Sequence, residues 1–152
     1  MYLWACREFK KRIGWILLNK DKNLLKILTG KKIAYVCPGQ HLIGHNLGKE
    51  IDSHDIIVRV NQKFAIPSTK IKDYGGKTDI IFSAFSGRCI YECKNNWDFF
   101  KNNKELKAGV VSQLPDVSSM SFKSFFEQKL KIPYIVFDRK DIMDIYKYVG
   151  TN

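Results

Sequence analysis

The sequence holds no apolar run approaching the ~18 residues that a membrane-spanning helix needs. Its nearest candidate, Ile13-Gly14-Trp15-Ile16-Leu17-Leu18, is short and flanked by lysine. No small-residue cleavage site follows it, so it does not read as a secretory leader. None of the four cysteines (Cys6, Cys37, Cys89, Cys93) forms a Cys-x-x-Cys pair, which argues against a zinc site. No Gly-x-Gly-x-x-Gly is present, so the dinucleotide fingerprint is missing. The stretch Gly44-His45-Asn46-Leu47-Gly48-Lys49-Glu50 contains a Gly-Lys. A P-loop needs Ser or Thr where Glu50 stands, and the first glycine is too near. No Ser/His/Asp or Cys/His order stands out, and there is no internal repeat.

What is present fits one soluble globular domain. The chain has 152 residues, 45% of them hydrophobic and 27% charged, enough to bury a core. The net charge of +11 is uneven: residues 1–32 hold nine Lys or Arg against two acids. Such a basic face attracts nucleic acid, anionic lipid or a phosphorylated ligand. A solvated helix face is the alternative, and no aromatic platform or nucleic-acid motif accompanies the lysines. Residues 1–30 are read as a basic helical arm and residues 31–152 as an α/β domain.

Trp4 to Leu28 carries apolar residues at helical spacing, with a break around Asn19 to Asn23 and a stop at Gly30. Lys32–Cys37, Asp55–Val60, Thr78–Phe82, Ala108–Ser112 and Pro133–Asp138 read as short strands buried on both faces. Helices are expected over Gly44–Glu50 (ending before Asp52), Ser86–Asn103, Val117–Leu130 with Ser118 or Ser119 as cap, and from Asp138 through Tyr148. Gln62–Gly76 reads as a long polar loop. Alternation of apolar strands with helices predicts a three-layer α/β fold with a mostly parallel sheet.

In such a sheet ligands bind beyond the carboxyl ends of the strands. Three such ends carry Gly39 and Gln40, Asn61, and Ser83. Gly39 lets the backbone approach a ligand, and a following helix N-terminus would face a phosphate. Asn61 offers donor and acceptor to a ribose or a cytosine edge; it equally suits a turn at a strand end. His41, His45 and His54 could ligate a metal only on a firm helix with a carboxylate partner; polar loop residues are the alternative. Asp52 and Asp55 are either a carboxylate pair or ordinary helix-end and strand-start residues. Cys89 and Cys93 would share one helix face as buried thiols.

The run Ala34-Tyr35-Val36 … Leu47-Gly48-Lys49-Glu50-Ile51-Asp52-Ser53-His54-Asp55-Ile56-Ile57-Val58-Arg59-Val60-Asn61-Gln62, closed by Asp73-Tyr74-Gly75-Gly76-Lys77-Thr78, resembles the large sialylmotif of glycosyltransferase family twenty-nine, the sialyltransferases. The resemblance covers about a third of the chain. It implies a variant nucleotide-sugar-binding, Rossmann-like fold. It also implies metal-independent, inverting transfer of sialic acid from CMP-sialic acid to a glycan acceptor, with no cofactor beyond the CMP-sugar donor. The large motif chiefly binds the CMP part, and Asn61 matches the family's nucleotide-binding Asn. The Gly-Asn-Ser turn of the animal enzymes falls on Cys37-Pro38-Gly39. Pro38 cannot make the hydrogen bonds of an Asn side chain, and a Pro turn resembles divergent viral or bacterial members, whose donor need not be CMP-sialic acid. The motif's cysteine falls on Ile33, so the family disulfide is not expected. The small motif would be expected to begin near Gly150-Thr151-Asn152, with the family's catalytic His later still. The chain is therefore expected to be a fragment, a natural truncation, or a half that only binds nucleotide; no base is named, and transfer by these residues alone is expected to be undetectable. A cytoplasmic location is expected from the missing leader and cysteine, the Golgi from the family's habit.

Overall fold

A computed structural model describes residues 21–61, 63–86, 91–93, 95–111, 117–137 and 140. Five strands form one parallel sheet in the order of the sequence: β1 Ile33–Val36, β2 Ile56–Val60, β3 Ile80–Ser83, β4 Ala108–Val111 and β5 Tyr134–Ile135. Each pairs in parallel with the next, as in Tyr35 opposite Val58 and Phe82 opposite Val110. All five expected strands are present within one to three residues of their predicted ends. Their apolar, β-branched runs are what a strand covered on both faces requires.

Strands taken in sequence order constrain the layers. Right-handed crossovers that always step the same way must all lie on one face. The packing agrees with this. Ile81, Val111 and Tyr134 share one core with Phe64, Phe85, Phe100, Phe122 and Phe126, which the crossover segments supply. Their rings meet mostly edge-to-face or tilted, at centroid separations of 5.1–6.5 Å, the arrangement aromatic quadrupoles prefer. Ile56, Val58, Ile80, Ala108, Val110 and Ile135 face the other way and pack on Leu24 of α1, Lys22–Leu28. The sheet thus lies between a crossover layer and an α1 layer, a three-layer α/β fold.

The α1 helix starts where a cap exists. Asp21 accepts hydrogen bonds from Asn23 N (2.8 Å) and Leu24 N (2.9 Å), and Gly30 follows the helix at φ +71°, as expected. Residues 1–20 of the proposed arm, the helix expected beyond Asp138 apart from residue 140, and Cys89 lie outside the described residues. No helix among the described residues is long and apolar enough to cross a membrane.

Several helix boundaries differ from expectation. The helix expected over Gly44–Glu50 is α2, Gly48–Asp52. Gly44 (φ +82°) and Asn46 (φ +56°) adopt left-handed backbone that no α-helix contains. The polar loop contains a helical turn, Ser68–Lys70, running into α3, Ile71–Tyr74. In the Ser86–Asn103 region α4 spans Trp97–Asn102, with Phe100 and Cys93 buried. Helix α5, Val117–Ser124, continues as π-helix through Leu130. Residues 112–116 and the Ser118 side chain lie outside the described residues, so the expected cap at Ser118 or Ser119 does too; Ser119 stands within the range of the helix. Ser119 is fully buried, and its carbonyl accepts from the Tyr134 hydroxyl. The π segment sets Phe126 against Gly109, where any Cβ would stand 2.6 Å from the ring.

Candidate functional site

Gly39 and Gln40 follow β1, Asn61 follows β2, and Ser83 ends β3. Because these strands are neighbours, the four residues share one carboxyl edge of the sheet. They are not equivalent. Asn61 is exposed and left-handed at φ +58°, a conformation Asn tolerates better than most side chains. Its N–H donates to Phe82 O at 2.8 Å, extending the ladder past the strand end. Gln40 is exposed, whereas Ser83 is buried and its hydroxyl accepts from Phe85 N at 3.2 Å. The segment after Gly39 is a three-residue turn, Gln40–Leu42. It is too short to present the row of N–H groups that the sequence led one to expect.

The same face holds a set of ties that sequence reasoning missed. The segment Asp73–Thr78 is fastened almost residue by residue. The Asp73 carboxylate accepts from Asn46 N at 2.9 Å, and the Tyr74 hydroxyl donates to Gly39 O at 2.6 Å. Gly75 O accepts from Arg59 Nη2 at 3.1 Å, and Lys77 O accepts from Arg59 Nε and Nη2 at 3.1 and 2.9 Å. Gly76 N and Lys77 N donate to the Asp52 carboxylate at 2.7 and 3.1 Å, while Lys77 Nζ donates to Asp52 O at 2.7 Å. The Thr78 hydroxyl donates to Phe64 O at 2.7 Å.

Arg59 is the centre of this latch. It is 1% exposed, and its Nη1 has no partner among the described residues. Burial pulls its guanidinium down to about 10, opposed by the nearby Asp52 carboxylate, so it stays charged at neutral pH. Its signal was visible: a lone charge inside an apolar strand must find partners once buried.

The carboxylates are used separately. Asp52 faces Gly76 and Lys77, whereas Asp55 accepts from Lys32 N at 2.8 Å, so they do not form a working pair. His54 Nδ1 lies 3.0 Å from Glu50 O, and His41 sits in the turn after Gly39. Among the described residues, no three His, Cys, Asp or Glu side chains gather as a metal site would require.

A sequence model of glycosyltransferase family 29, the sialyltransferases, matches residues 17–131. This is about three quarters of the chain. The chain belongs to that family. No curated protein and no solved structure matches it. The matched span reaches beyond the large motif, from before α1 to the end of α5. In this family-29 chain the motif's Asp52, Arg59, Gly75, Gly76, Lys77 and Thr78 are bound to one another and to neighbouring backbone. Asn61 stands apart, exposed at the sheet edge.

One tie responds to acid. Backbone N–H groups of Gly44 and Asn46 hold the Asp73 carboxyl below its ordinary value. A carboxyl lowered by folding adds stability above its unfolded pKa and loses it as pH falls through the folded value. Acidification below about pH 4 is therefore expected to release the Gly44–Asn46 loop. The Asn46 amide resonance, followed by NMR, should move in that window, and Asp73→Asn should abolish the titration. An Asn46 resonance that titrates identically in both proteins contradicts the assignment.

Proposed function

We propose that the carboxyl edge of β1 to β3 binds the cytidine nucleotide of a CMP-sialic acid donor, and that the chain is the donor-binding portion of a sialyltransferase. The reaction is inverting transfer of sialic acid to a glycan hydroxyl, without a resident metal. Asn61 contacts the nucleotide, Gly39 and Gln40 line the first strand exit, and Ser83 closes the third. Family membership, joined to the exposed Asn61 side chain at a strand end, carries this reading. The Asn61 side-chain amide makes no hydrogen bond to another described residue, so its donors and acceptor are available to a ligand.

Asn61→Gly tests it more cleanly than Asn61→Ala. Alanine at φ +58° adds about 1 kcal/mol of backbone strain, whereas glycine removes the amide without it. Calorimetric titration of the whole chain with CMP and CMP-sialic acid is expected to show binding. Asn61→Gly should weaken it about ten-fold, the worth of roughly one to two hydrogen bonds, with thermal stability nearly unchanged. Absence of binding by the wild-type chain to either ligand sinks the donor-site reading.

A further inference from the structure

The turn after β1 is held by an unexpected side chain. Pro38 has no N–H and no side-chain donor. Among the described residues, the hydrogen bond that ties residues 38–42 to another part of the chain is the one from Tyr74 Oη to Gly39 O, 2.6 Å. The others, Ile43 N to Gln40 O and His45 N to Leu42 O, are local. Tyr74 is 9% exposed and ends α3. The next residues are fixed by Arg59 and Asp52, so its ring projects from a firm base. The His41 ring also lies over Gly39, with Cε1 and Nδ1 2.2 Å from where a Cβ would stand.

We propose that Tyr74 is a positioning residue of the donor site: by holding the Gly39 carbonyl, its hydroxyl fixes the conformation in which Gly39 and Gln40 meet the nucleotide. The inference rests on the donor-site reading above. It adds a specific route by which the latch at Asp73–Thr78 reaches the ligand edge. The Gly39 carbonyl gives one of its two lone pairs to this bond. The turn contributes its shape and the Gln40 side chain.

The test is a double-mutant cycle on CMP affinity, with the full chain and calorimetric titration. Tyr74→Phe keeps the ring and removes one hydroxyl, and is expected to weaken CMP binding about five-fold, the equivalent of roughly 1 kcal/mol. Gly39→Ala reaches the same turn from the His41 side and should also weaken binding. Because both act through one turn, their effects should fall short of additive, whereas Tyr74→Phe and Asn61→Gly should add. General loosening of the fold would not produce that contrast. In the ligand-free protein, Tyr74→Phe should also shift the Gly39 carbonyl carbon resonance, which reports loss of the bond. CMP affinity unchanged in Tyr74→Phe overturns the inference while leaving the donor site standing, as does full additivity with Gly39→Ala. No CMP binding by the wild-type chain overturns both.

Discussion

Replacing Arg59 with methionine is expected to destabilise the protein by about 3 kcal/mol, a fall in melting temperature of roughly 10 °C for a domain of this size. Two effects oppose each other here. Burying a guanidinium costs free energy, and its lowered affinity for a proton records that cost. Swapping a buried charge for an apolar side chain can therefore be neutral or favourable when its partners leave with it. They do not leave in this case. Gly75 O and Lys77 O lose their donors, Gly75 is buried, and the Asp52 carboxylate loses a nearby positive charge. Unsatisfied buried groups decide the sign. Arg59→Lys keeps the charge but not the fork that serves two carbonyls at once, so it should recover less than half of the loss. Asp52→Asn combined with Arg59→Met should cost less than the sum of the two, since they share one latch. Urea denaturation of the four variants beside the wild type checks this. Arg59→Met as stable as wild type would mean that the latch does not hold the fold together.

The sheet was legible because its information is local. Ile56-Ile57-Val58 and Ile80-Ile81 are apolar and β-branched without alternation, which only a strand covered on both faces requires. Their alternation with helical segments then implied parallel pairing, and parallel pairing placed Gly39, Asn61 and Ser83 on one edge. What remained hidden depends on tertiary ties. The residues of α3, Ile71-Lys72-Asp73-Tyr74, show no helical period. They form a helix because Asp73, Tyr74 and Gly75 are fastened to three other segments. The start of α2 moved because Gly44 and Asn46 turn left-handed, with Asp73 accepting from the Asn46 amide. The separate duties of Asp52 and Asp55 follow from facing opposite neighbours, Lys77 and Lys32, which spacing cannot reveal. The family resemblance rested on the stretch that carries the latch. It could not show that most of that stretch binds itself, nor that Tyr74 reaches the turn beside Pro38.

Gly48→Ala is expected to cost about 3 kcal/mol, against the ordinary rule for a helical glycine. In an open helix alanine is favoured over glycine by about 1 kcal/mol. Gly48 lies in α2, but α2 packs across α3 with nothing between their backbones. A Cβ at position 48 would stand 2.0 Å from Ile71 O, 2.7 Å from Lys72 O and 2.9 Å from Gly75 N. All three are backbone atoms, so no rotamer change relieves the clash, and the helices must separate. Overpacking that moves backbone falls at the upper end of the usual 1–3 kcal/mol range. Gly44 supplies the contrast. It has open space around it but sits at φ +82°, so Gly44→Ala should cost only about 1 kcal/mol, from backbone strain alone. Separation of α2 from α3 also has a functional consequence. It carries Tyr74 away from Gly39 and pulls Asp52 off Gly76, so under the donor-site proposal CMP binding should fall in Gly48→Ala at temperatures where the protein is still folded. Gly44→Ala should lose little of it. Denaturant unfolding and CMP titration of the two variants side by side separate these effects. Equal stabilities, or a Gly48→Ala protein as stable as wild type, would mean that α2 and α3 do not approach this closely.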